Sequence, residues 1–304
     1  MKKYTGTVLL MIAAFIWGTA FVAQADAAQS IPPFTFSALR SLVGAAVLLI
    51  FLAVRKRFSK ENTKQTDWKA LLLGGVICGF VLFVAMNLQQ YGITVYPHEV
   101  NNIPGRSGFL TAMYVVLVPI CGLFFKKKVP LVVWIAAVLA AVALWLLCLK
   151  NGFGGIYLGD VLMFICALAF TAHIITVDVF GTKTDGVMLS CVQFFVAGVL
   201  SLIAGLLFEP RTSLQVIADA WLPILYVGVL SSGVAYTLQI IGQKNTEPAV
   251  ASIVMSLESV FAVLGGLVIF GEWLSGREVL GCAVMFAAVL LAQSPQFRRK
   301  DKAT

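Results

Sequence analysis

The chain has 304 residues and a formal net charge of +8; 60% of its residues are hydrophobic, only 12% are charged, and its mean hydropathy is +0.94. Because ordinary soluble domains are ~45–50% apolar and about 25% charged, this composition excludes a soluble globular enzyme, a disordered chain and a disulfide-rich secreted domain, and it leaves an integral membrane protein. The basic excess does not indicate a nucleic-acid partner, since the sequence offers no soluble domain to carry a basic face.

Ten apolar runs have the length of a membrane-spanning helix, which needs ~20 residues. In chain order they lie at roughly 5–25, 34–54, 68–90, 106–125, 131–149, 156–177, 187–207, 220–242, 248–270 and 277–294. Apolar runs of this length favour helices over barrel strands, which would alternate over ~10 residues. The sequence therefore predicts an all-α membrane protein with ten transmembrane helices. The first run lacks a cleavage site of small residues, so we expect it to be a retained helix.

Lysine and arginine predict the orientation of these helices. Seventeen of the 22 basic residues lie at the termini or in loops on the N-terminal side of the membrane, four lie on the other side, and Arg40 lies within a span. By the positive-inside rule, both termini are expected in the cytoplasm. All the connecting loops are short, so the function must reside in the helices.

An internal repeat relates the two halves of the chain. The spacing is 153 residues for Gly6 and Gly159, Trp17 and Phe170, and Arg40 and Gln193; 150 for Gln89 and Gln239; and 144 for Tyr114 and Glu258. The shrinking spacing places extra residues of the first half mostly within Val95–Gly105. Since each half holds five helices, an odd number, the second half enters the membrane from the opposite side. The sequence predicts two inverted five-helix repeats, residues 1–150 and 151–304, a design of secondary transporters that bind substrate near the bilayer midplane.

Two charged residues lie deep within the predicted spans, where charge is costly and usually functional. Glu258 lies near the middle of the ninth span. A carboxyl group in such a site is able to take up and release a proton, which makes Glu258 the proton-coupling candidate; alternatively it is a structural group that ties two helices together. Arg40 offers three alternatives: binding a carboxylate-bearing substrate, pairing with Glu258, or reaching the outer headgroups.

Aromatic and amide side chains complete a possible cavity. These are Trp17, Gln24, Asn87, Gln89, Tyr114, Gln193, Tyr236 and Gln239. Each alone is also explained as an interhelical hydrogen bond or an interfacial anchor. His173, about one turn inside the predicted inner rim, is a weaker candidate. The predicted substrate-binding residues are Trp17, Arg40, Asn87, Tyr114, Gln193, Tyr236 and Glu258.

Several chemistries have no motif in this sequence. There is no G-x-x-x-x-G-K-[ST], H-E-x-x-H or G-x-S-x-G pattern, and only two histidines are present. The six cysteines all fall within apolar runs without a C-x-x-C pair, which is typical of small buried side chains. We therefore expect no catalytic residues, no cofactor and no metal site, and a driving force taken from a gradient.

Five segments resemble the ten-helix EamA-type family of the drug/metabolite transporter superfamily. They are Ile16–Gln24, Pro33–Arg40, Leu88–Gly92, Gly108–Pro119, and Ser256–Glu258 followed by Phe270–Glu272. The resemblance implies ten helices, inverted repeats, cytoplasmic termini and a central cavity, and it matches Trp17, Arg40, Tyr114 and Glu258 to residues that recur in the family. Such proteins move amino acids, other metabolites, drugs or nucleotide sugars, often outward. This implies a multi-pass protein of the plasma membrane, in bacteria the inner membrane.

The sequence departs from the family pattern at Ser259 and in the stretch Val95–Pro104, among other places. Ser259 stands where a proline commonly follows the ninth-helix glutamate, so bending there is open. The stretch Val95–Pro104 is longer than usual on the predicted outer side; it either modifies an outer gate or is a tolerated loop insertion.

Together these observations predict a secondary transporter that exports a small metabolite or amino acid by alternating access, with proton coupling as an option. The alternatives are a nucleotide-sugar or drug-type carrier, an uptake permease, a membrane-embedded enzyme, or a structural membrane protein that transports nothing. The expected partners are a small-molecule substrate and the lipid bilayer, without nucleic acid. Substrate identity, transport direction and oligomeric state stay open at the level of sequence.

Overall fold

The computed structural model describes residues 5–58, 67–97, 100, 103–124, 129–148, 156–262, 264 and 275–298. Along these residues the chain forms ten principal helices: α1 (Thr5–Ala27), α2 (Pro33–Phe58), α3 (Trp68–Thr94), α4 (segments Ile103–Thr111 and Tyr114–Phe124), α5 (Leu131–Cys148), α6 (Leu158–Gly181), α7 (Gly186–Phe208), α8 (Trp221–Gln243), α9 (Pro248–Ala262) and α10 (Gly276–Arg298). A short helix, Leu214–Asp219, precedes α8. The described part of the chain contains no strand.

The prediction of an all-α membrane protein is confirmed. Eight helices are long and apolar enough to cross a membrane, and the apolar stretches Leu131–Leu147 and Pro248–Ala262 are shorter. Residues 265–270 of the predicted ninth span lie outside the described residues, as do 1–4, 59–66 and 125–128, which carry many of the basic residues used to predict orientation.

The helices begin and bend where local chemistry directs them. Asp67 caps α3 by accepting from Ala70 N, and Asp185 caps α7 by accepting from Val187 N and Met188 N. Both α4 and α9 are interrupted by a short turn, at 112–113 and at 256–257. The middle of α8, Tyr226–Ala235, is wound as a π-helix, a form that is frequent at functional sites.

Neighbouring helices pack closely at glycines. Gly74, near the start of α3, lies against Phe180 near the end of α6, whereas Gly92, near the end of α3, lies against Gly159 at the start of α6. These contacts make α3 and α6 antiparallel. Gly6 of α1 similarly lies against Gly242 of α8, so that no side chain fits at either position.

The two ends of the bundle are called the inner end and the outer end. The inner end is where α1 and α7 begin and α6 and α8 end, and the outer end is where α3 ends and α6 begins. The names follow the orientation that the basic residues predict.

Candidate functional site

A cavity lies at the centre of the bundle, among α1, α2, α3, α4, α6, α8 and α9; the space not filled by atoms, counted together with the open mouth, is about 470 Å³. It is lined by Trp17, Phe21, Gln24, Arg40, Gln89, Thr111, Tyr114, Phe170, Ile174, Ser231, Tyr236, Gln239, Met255 and Glu258. An apolar wall with a few convergent polar groups is the usual form of a small-molecule site.

Five of the seven predicted substrate-binding residues line this cavity: Trp17, Arg40, Tyr114, Tyr236 and Glu258. The other two lie elsewhere. Asn87 Nδ2 donates to Ser201 Oγ at 2.8 Å, which links α3 to α7. Gln193 Oε1 lies 3.1 Å from His173 Nε2, linking α7 to α6 behind the cavity wall.

The predicted substrate-binding residues leave out several residues that line the cavity. The spacings of the predicted repeat, however, identify most of these residues. Applied to the whole lining, the spacings of 153, 150 and 144 residues join ten of the fourteen residues into five pairs. The pairs are Trp17 with Phe170, Phe21 with Ile174, Gln89 with Gln239, Thr111 with Met255, and Tyr114 with Glu258. Residues at the spacings of the predicted repeat thus line one cavity together.

Glu258 and Tyr114 are presented by the two interrupted helices. Helix α4 breaks after Thr111 and resumes at Tyr114, and α9 breaks after Met255 and resumes at Glu258. The break in α9 forms although Ser259 replaces the family proline: Leu257 N donates to Val254 O and Ser259 N to Ser256 O. Each break aims its next residue into the cavity, as in the interrupted helices of secondary transporters.

Arg40 is 2% exposed, and its Nη1 donates to Gln24 Oε1 at 2.6 Å. Its guanidinium faces the cavity, so the alternative in which it reaches the outer headgroups is not what this structure contains. No ion pair joins Arg40 to Glu258 in the described part of the chain; Glu258 Oε1 instead accepts from Tyr114 OH at 2.9 Å.

Three buried polar atoms of the lining residues have no protein partner among the described residues: the donors Arg40 Nε and Trp17 Nε1 and the acceptor Gln239 Oε1. An unsatisfied buried polar group costs free energy, about 1–3 kcal/mol. Such groups at a cavity wall are explained if a ligand supplies the missing partners.

An aromatic cluster holds the wall between α1 and α8. The ring of Tyr236 meets Trp17, Phe194 and His173 edge-on, with centroid distances of 4.8, 5.2 and 5.8 Å. His173 is fully buried behind this wall and does not line the cavity. It belongs to the packing that supports Tyr236.

A larger cleft opens at the inner end, among α4, α6 and the connection from α8 to α9; the space not filled by atoms, counted together with open solvent, is about 1,100 Å³. Its polar lining includes Asp178, Lys244 and Glu247, while Ile175 lines it beside the Ile174 of the central cavity. Lys244 Nζ donates to Thr184 O at 2.6 Å, and burial lowers the pKa of this lysine. The cleft and the central cavity thus share helix α6 in their walls.

No metal site accompanies the cavity in the part of the chain that the structure describes, since no three His, Cys, Asp or Glu side chains are grouped there. The lining instead holds one cationic and one carboxyl side chain together with neutral donors and acceptors.

A multi-pass helical bundle with a polar central cavity defines a class of integral membrane protein, and comparison with known families identifies which one. The sequence model of the EamA-like transporter family matches residues 4–149 and again residues 157–293. The chain therefore belongs to the EamA-like transporter family, as its motifs predicted, and this is a family of transporters.

Individual relatives agree with this assignment. The chain is 29% identical to the uncharacterized transporter YwfM of Bacillus subtilis over 99% of its own length and 97% of the relative. It is 25% identical to the uncharacterized inner membrane transporter YedA of Escherichia coli (91% and 86% covered) and to the threonine/homoserine exporter RhtA of Salmonella typhimurium (87% and 85% covered). A solved crystal structure with 18% identity superposes with a TM-score of 0.77, covering 98% of this chain and 99% of the other, and shares the fold.

Proposed function

We propose that this protein is a secondary transporter that exports a small zwitterionic metabolite, such as a neutral amino acid, by alternating access. The observation that carries the proposal is that Arg40 and Glu258 line one cavity without pairing with each other. A solute bearing both a carboxylate and an ammonium group supplies an opposite charge to each of them.

The carboxylate would bind on the Arg40 side of the cavity. Guanidinium binds carboxylate through parallel hydrogen bonds, and Arg40 Nε is a buried donor without a protein partner. Trp17 Nε1 is a second such donor. Gln24, which accepts from Arg40 Nη1, orients the guanidinium.

The ammonium group would bind toward Glu258 and Gln239. Gln239 Oε1 is a buried acceptor without a protein partner, and Glu258 carries the only carboxyl group of the described cavity lining. Tyr114 OH donates to Glu258 Oε1 and so fixes the carboxyl group. The apolar lining, including Phe21 and Phe170, then leaves space for a small side chain.

Alternating access is supported by the relation between the halves. The five lining pairs stand at the repeat spacings, the interruptions of α4 and α9 are 144 residues apart, and the family model matches twice. We propose that residues 1–150 and 151–304 are inverted repeats and that exchanging their conformations moves the cavity opening between the two ends.

The direction, location and coupling are part of the same proposal. The relative RhtA is named an exporter of threonine and homoserine, and YedA an inner membrane transporter. We propose outward transport across a bacterial inner membrane with both termini in the cytoplasm. Glu258, lying in the cavity beside the substrate, is the group we propose to exchange a proton for it.

Counterflow into vesicles that hold the purified protein tests the substrate class. Labelled threonine and homoserine are compared with threoninamide, which lacks the carboxylate, and with the hydroxy acid that lacks the amine. We expect accumulation of the amino acids and of neither analogue, with protein-free vesicles as the blank. Counterflow of none of a broad metabolite panel would contradict transport, and equal counterflow of the amide would contradict recognition of a zwitterion.

A further inference from the structure

We propose that Asp160, Arg106 and Tyr96 form a latch that holds the outer end of the carrier closed and opens for release. The inference rests on the proposed alternating access. At the outer end, Asp160 lies in the first turn of α6 and accepts two hydrogen bonds from Arg106. Arg106 Nε donates to Oδ1 at 2.5 Å, and Arg106 Nη2 donates to Oδ2 at 2.6 Å. Tyr96 OH donates to Oδ1 at 2.8 Å, and Tyr157 N donates to Oδ2 at 2.8 Å.

The latch is buried although it lies at the end of the bundle. Arg106 is 6% exposed and Asp160 is 7% exposed. The guanidinium carbon of Arg106 lies 5.0 Å from the centre of the Tyr157 ring, and the Tyr96 ring packs on Gly159, where an added Cβ would lie 2.7 Å from it. Two aromatic rings therefore shield the ion pair, and salt screens a shielded pair much less than an exposed one.

The latch joins the elements that must separate if the cavity is to open outward. Arg106 precedes the cavity residues Thr111 and Tyr114 on α4, and Asp160 precedes Phe170 and Ile174 on α6. Through its hydrogen bond to Asp160, the phenol of Tyr96 also ties the loop that follows α3 to the start of α6. The ion pair exists only while these elements are together. Removal of one partner leaves the other charge buried and unpaired in the closed state, and this destabilises that state.

At the inner end, the residues that correspond to the latch at the repeat spacings pack in a similar way but carry no charge. At the repeat spacings, the contact of Gly159 with Tyr96 corresponds to the contact of Gly6 with Thr246. In the same way, Gly92 lies against the carbonyl oxygen of Gly159, and Gly242 lies against the carbonyl oxygen of Gly6. The residues equivalent to Asp160 and Arg106 are Thr7 and Val250. Thr7 Oγ1 makes only a 3.4 Å contact to Gln293, and Thr246 Oγ1 donates to Gly242 O within its own segment.

This difference between the two ends favours the state of the carrier that is closed at the outer end. Closure of the outer end forms a buried bidentate ion pair, whereas Thr7 and Val250, at the corresponding positions of the inner end, carry no charge and cannot form one. The free carrier therefore rests closed outside and open inside, where it awaits cytoplasmic substrate. The cleft at the inner end, which Thr246 helps to line, agrees with that state.

Tyr96 and Arg106 flank the stretch in which the first half has gained residues. Of the two alternatives for this insertion, an outer gate element is the one that the contacts of Tyr96 favour. Residues 98–99 and 101–102 lie outside the described residues and have no part in the latch.

Accessibility of a cavity cysteine from the outside tests the latch in the full chain. Ser231→Cys places an isosteric thiol on the cavity wall, and a membrane-impermeant maleimide is applied to intact cells. The protein without this substitution gives the blank for the six native cysteines. We expect Asp160→Asn to raise the labelling rate about tenfold or more and Tyr96→Phe, which removes one hydrogen bond, to raise it about threefold.

Asp185→Asn is the matched control. Asp185 also caps a helix and also pairs with an arginine, Arg55 at 3.1 Å, but at the inner end. We expect this variant to leave outside labelling unchanged. An unchanged rate in Asp160→Asn, or an equal rise in Asp185→Asn, would overturn the latch. If Asp160→Asn fails to fold, as judged by gel filtration, an unchanged rate in Tyr96→Phe overturns it instead.

The labelling result is separable from the transport proposal. Rates of thiol modification require no knowledge of the substrate, whereas counterflow requires no knowledge of the latch. Active counterflow with unchanged labelling would remove the latch alone. Absent counterflow with increased labelling would remove the assigned substrate and leave an outer end that the ion pair holds closed.

Discussion

Tyr114 donates a hydrogen bond of 2.9 Å to Glu258 across the cavity, and the two residues hold the same position in their respective halves of the chain. Each is the first residue after an interruption of its helix, and the interruptions are 144 residues apart. The second half has a carboxyl group where the first half has a phenol. Under the proposed function, the carboxyl group at this position is the one that carries the proton.

Glu258→Gln is expected to abolish proton coupling. The amide keeps the size of the carboxyl group and still accepts from Tyr114, but it cannot take up a proton. In vesicles, export driven by acid on the release side should fall at least about tenfold, a loss of about 1.4 kcal/mol or more, and the remaining exchange should lose its dependence on pH. Flux in response to a pH gradient is the measurement, and an unchanged response would exclude Glu258 as the coupling site.

Tyr114→Phe separates the carboxyl group from its partner. This variant removes the phenol oxygen and keeps the proton-accepting group, so we expect weaker transport that still responds to a pH gradient. The loss of one hydrogen bond to a charged or polar partner corresponds to about 0.5–3 kcal/mol. A complete loss of the pH response in Tyr114→Phe would show that Glu258 does not couple transport by itself.

Arg40→Gln is expected to abolish recognition of the substrate carboxylate. The loss should exceed tenfold in counterflow of an amino acid, since hydrogen bonds to charged groups contribute about 1.5–3 kcal/mol. Arg40→Lys should be nearly as impaired, because an ammonium group lacks the planar fork that binds carboxylate. The control is a carboxamide analogue of the amino acid. The ratio of amino-acid counterflow to amide counterflow should be smaller in both variants than in the wild-type protein. An unchanged ratio of acid to amide counterflow would place Arg40 outside the carboxylate site.

The fold of this chain could be predicted largely from composition and spacing. Ten apolar runs gave the ten helices, because a span in lipid must be long, apolar and internally hydrogen bonded. The predicted repeat rests on pairs that share one spacing, such as Trp17 with Phe170 and Arg40 with Gln193, both 153 residues apart. The proton candidate was also visible, since a single carboxyl group within a span is rare.

The contacts between distant helices were not visible. Asn87 and Gln193 have the same chemistry as Gln89 and Gln239, and only the rotation of each helix decides which amide faces the cavity. Asp160 and Arg106 pair across 54 positions of intervening chain, and no motif or spacing in the sequence indicates this pair. A long-range pair between helices leaves no pattern in one sequence.

Gly18→Ala is expected to destabilise the packing of α1 on α9. An added Cβ would press on the carbonyl oxygen of Glu258 and lie 2.8 Å from Ala262 N. Overpacking of this kind costs about 1–3 kcal/mol, and here it would also displace the backbone that carries Glu258. The apparent melting temperature in detergent and the counterflow rate should both fall.

Gly108→Ala is the matched control for that substitution. The nearest atom to a Cβ at Gly108 is Phe21 Cε2 at 4.0 Å, so the methyl group fits. Alanine is favoured over glycine in a helix by up to about 1 kcal/mol, and the melting temperature should stay the same or rise. Similar losses in both variants would mean that the close contact of α1 with α9 is unimportant for stability.

Asn87→Leu and Gln239→Leu should separate a structural amide from a substrate-binding one. Asn87 Nδ2 donates to Ser201 Oγ, so its replacement removes an interhelical hydrogen bond, which is worth about 0.6 kcal/mol on average in a membrane protein. We expect a slightly lower melting temperature and an unchanged KM. Gln239 Oε1 has no protein partner in the described residues, so Gln239→Leu should leave stability intact or improve it. It should also raise KM severalfold, by the ~0.5–1.5 kcal/mol of a lost substrate hydrogen bond. The reverse pattern, with KM raised by Asn87→Leu and unaffected by Gln239→Leu, would move the ammonium site from α8 to α3.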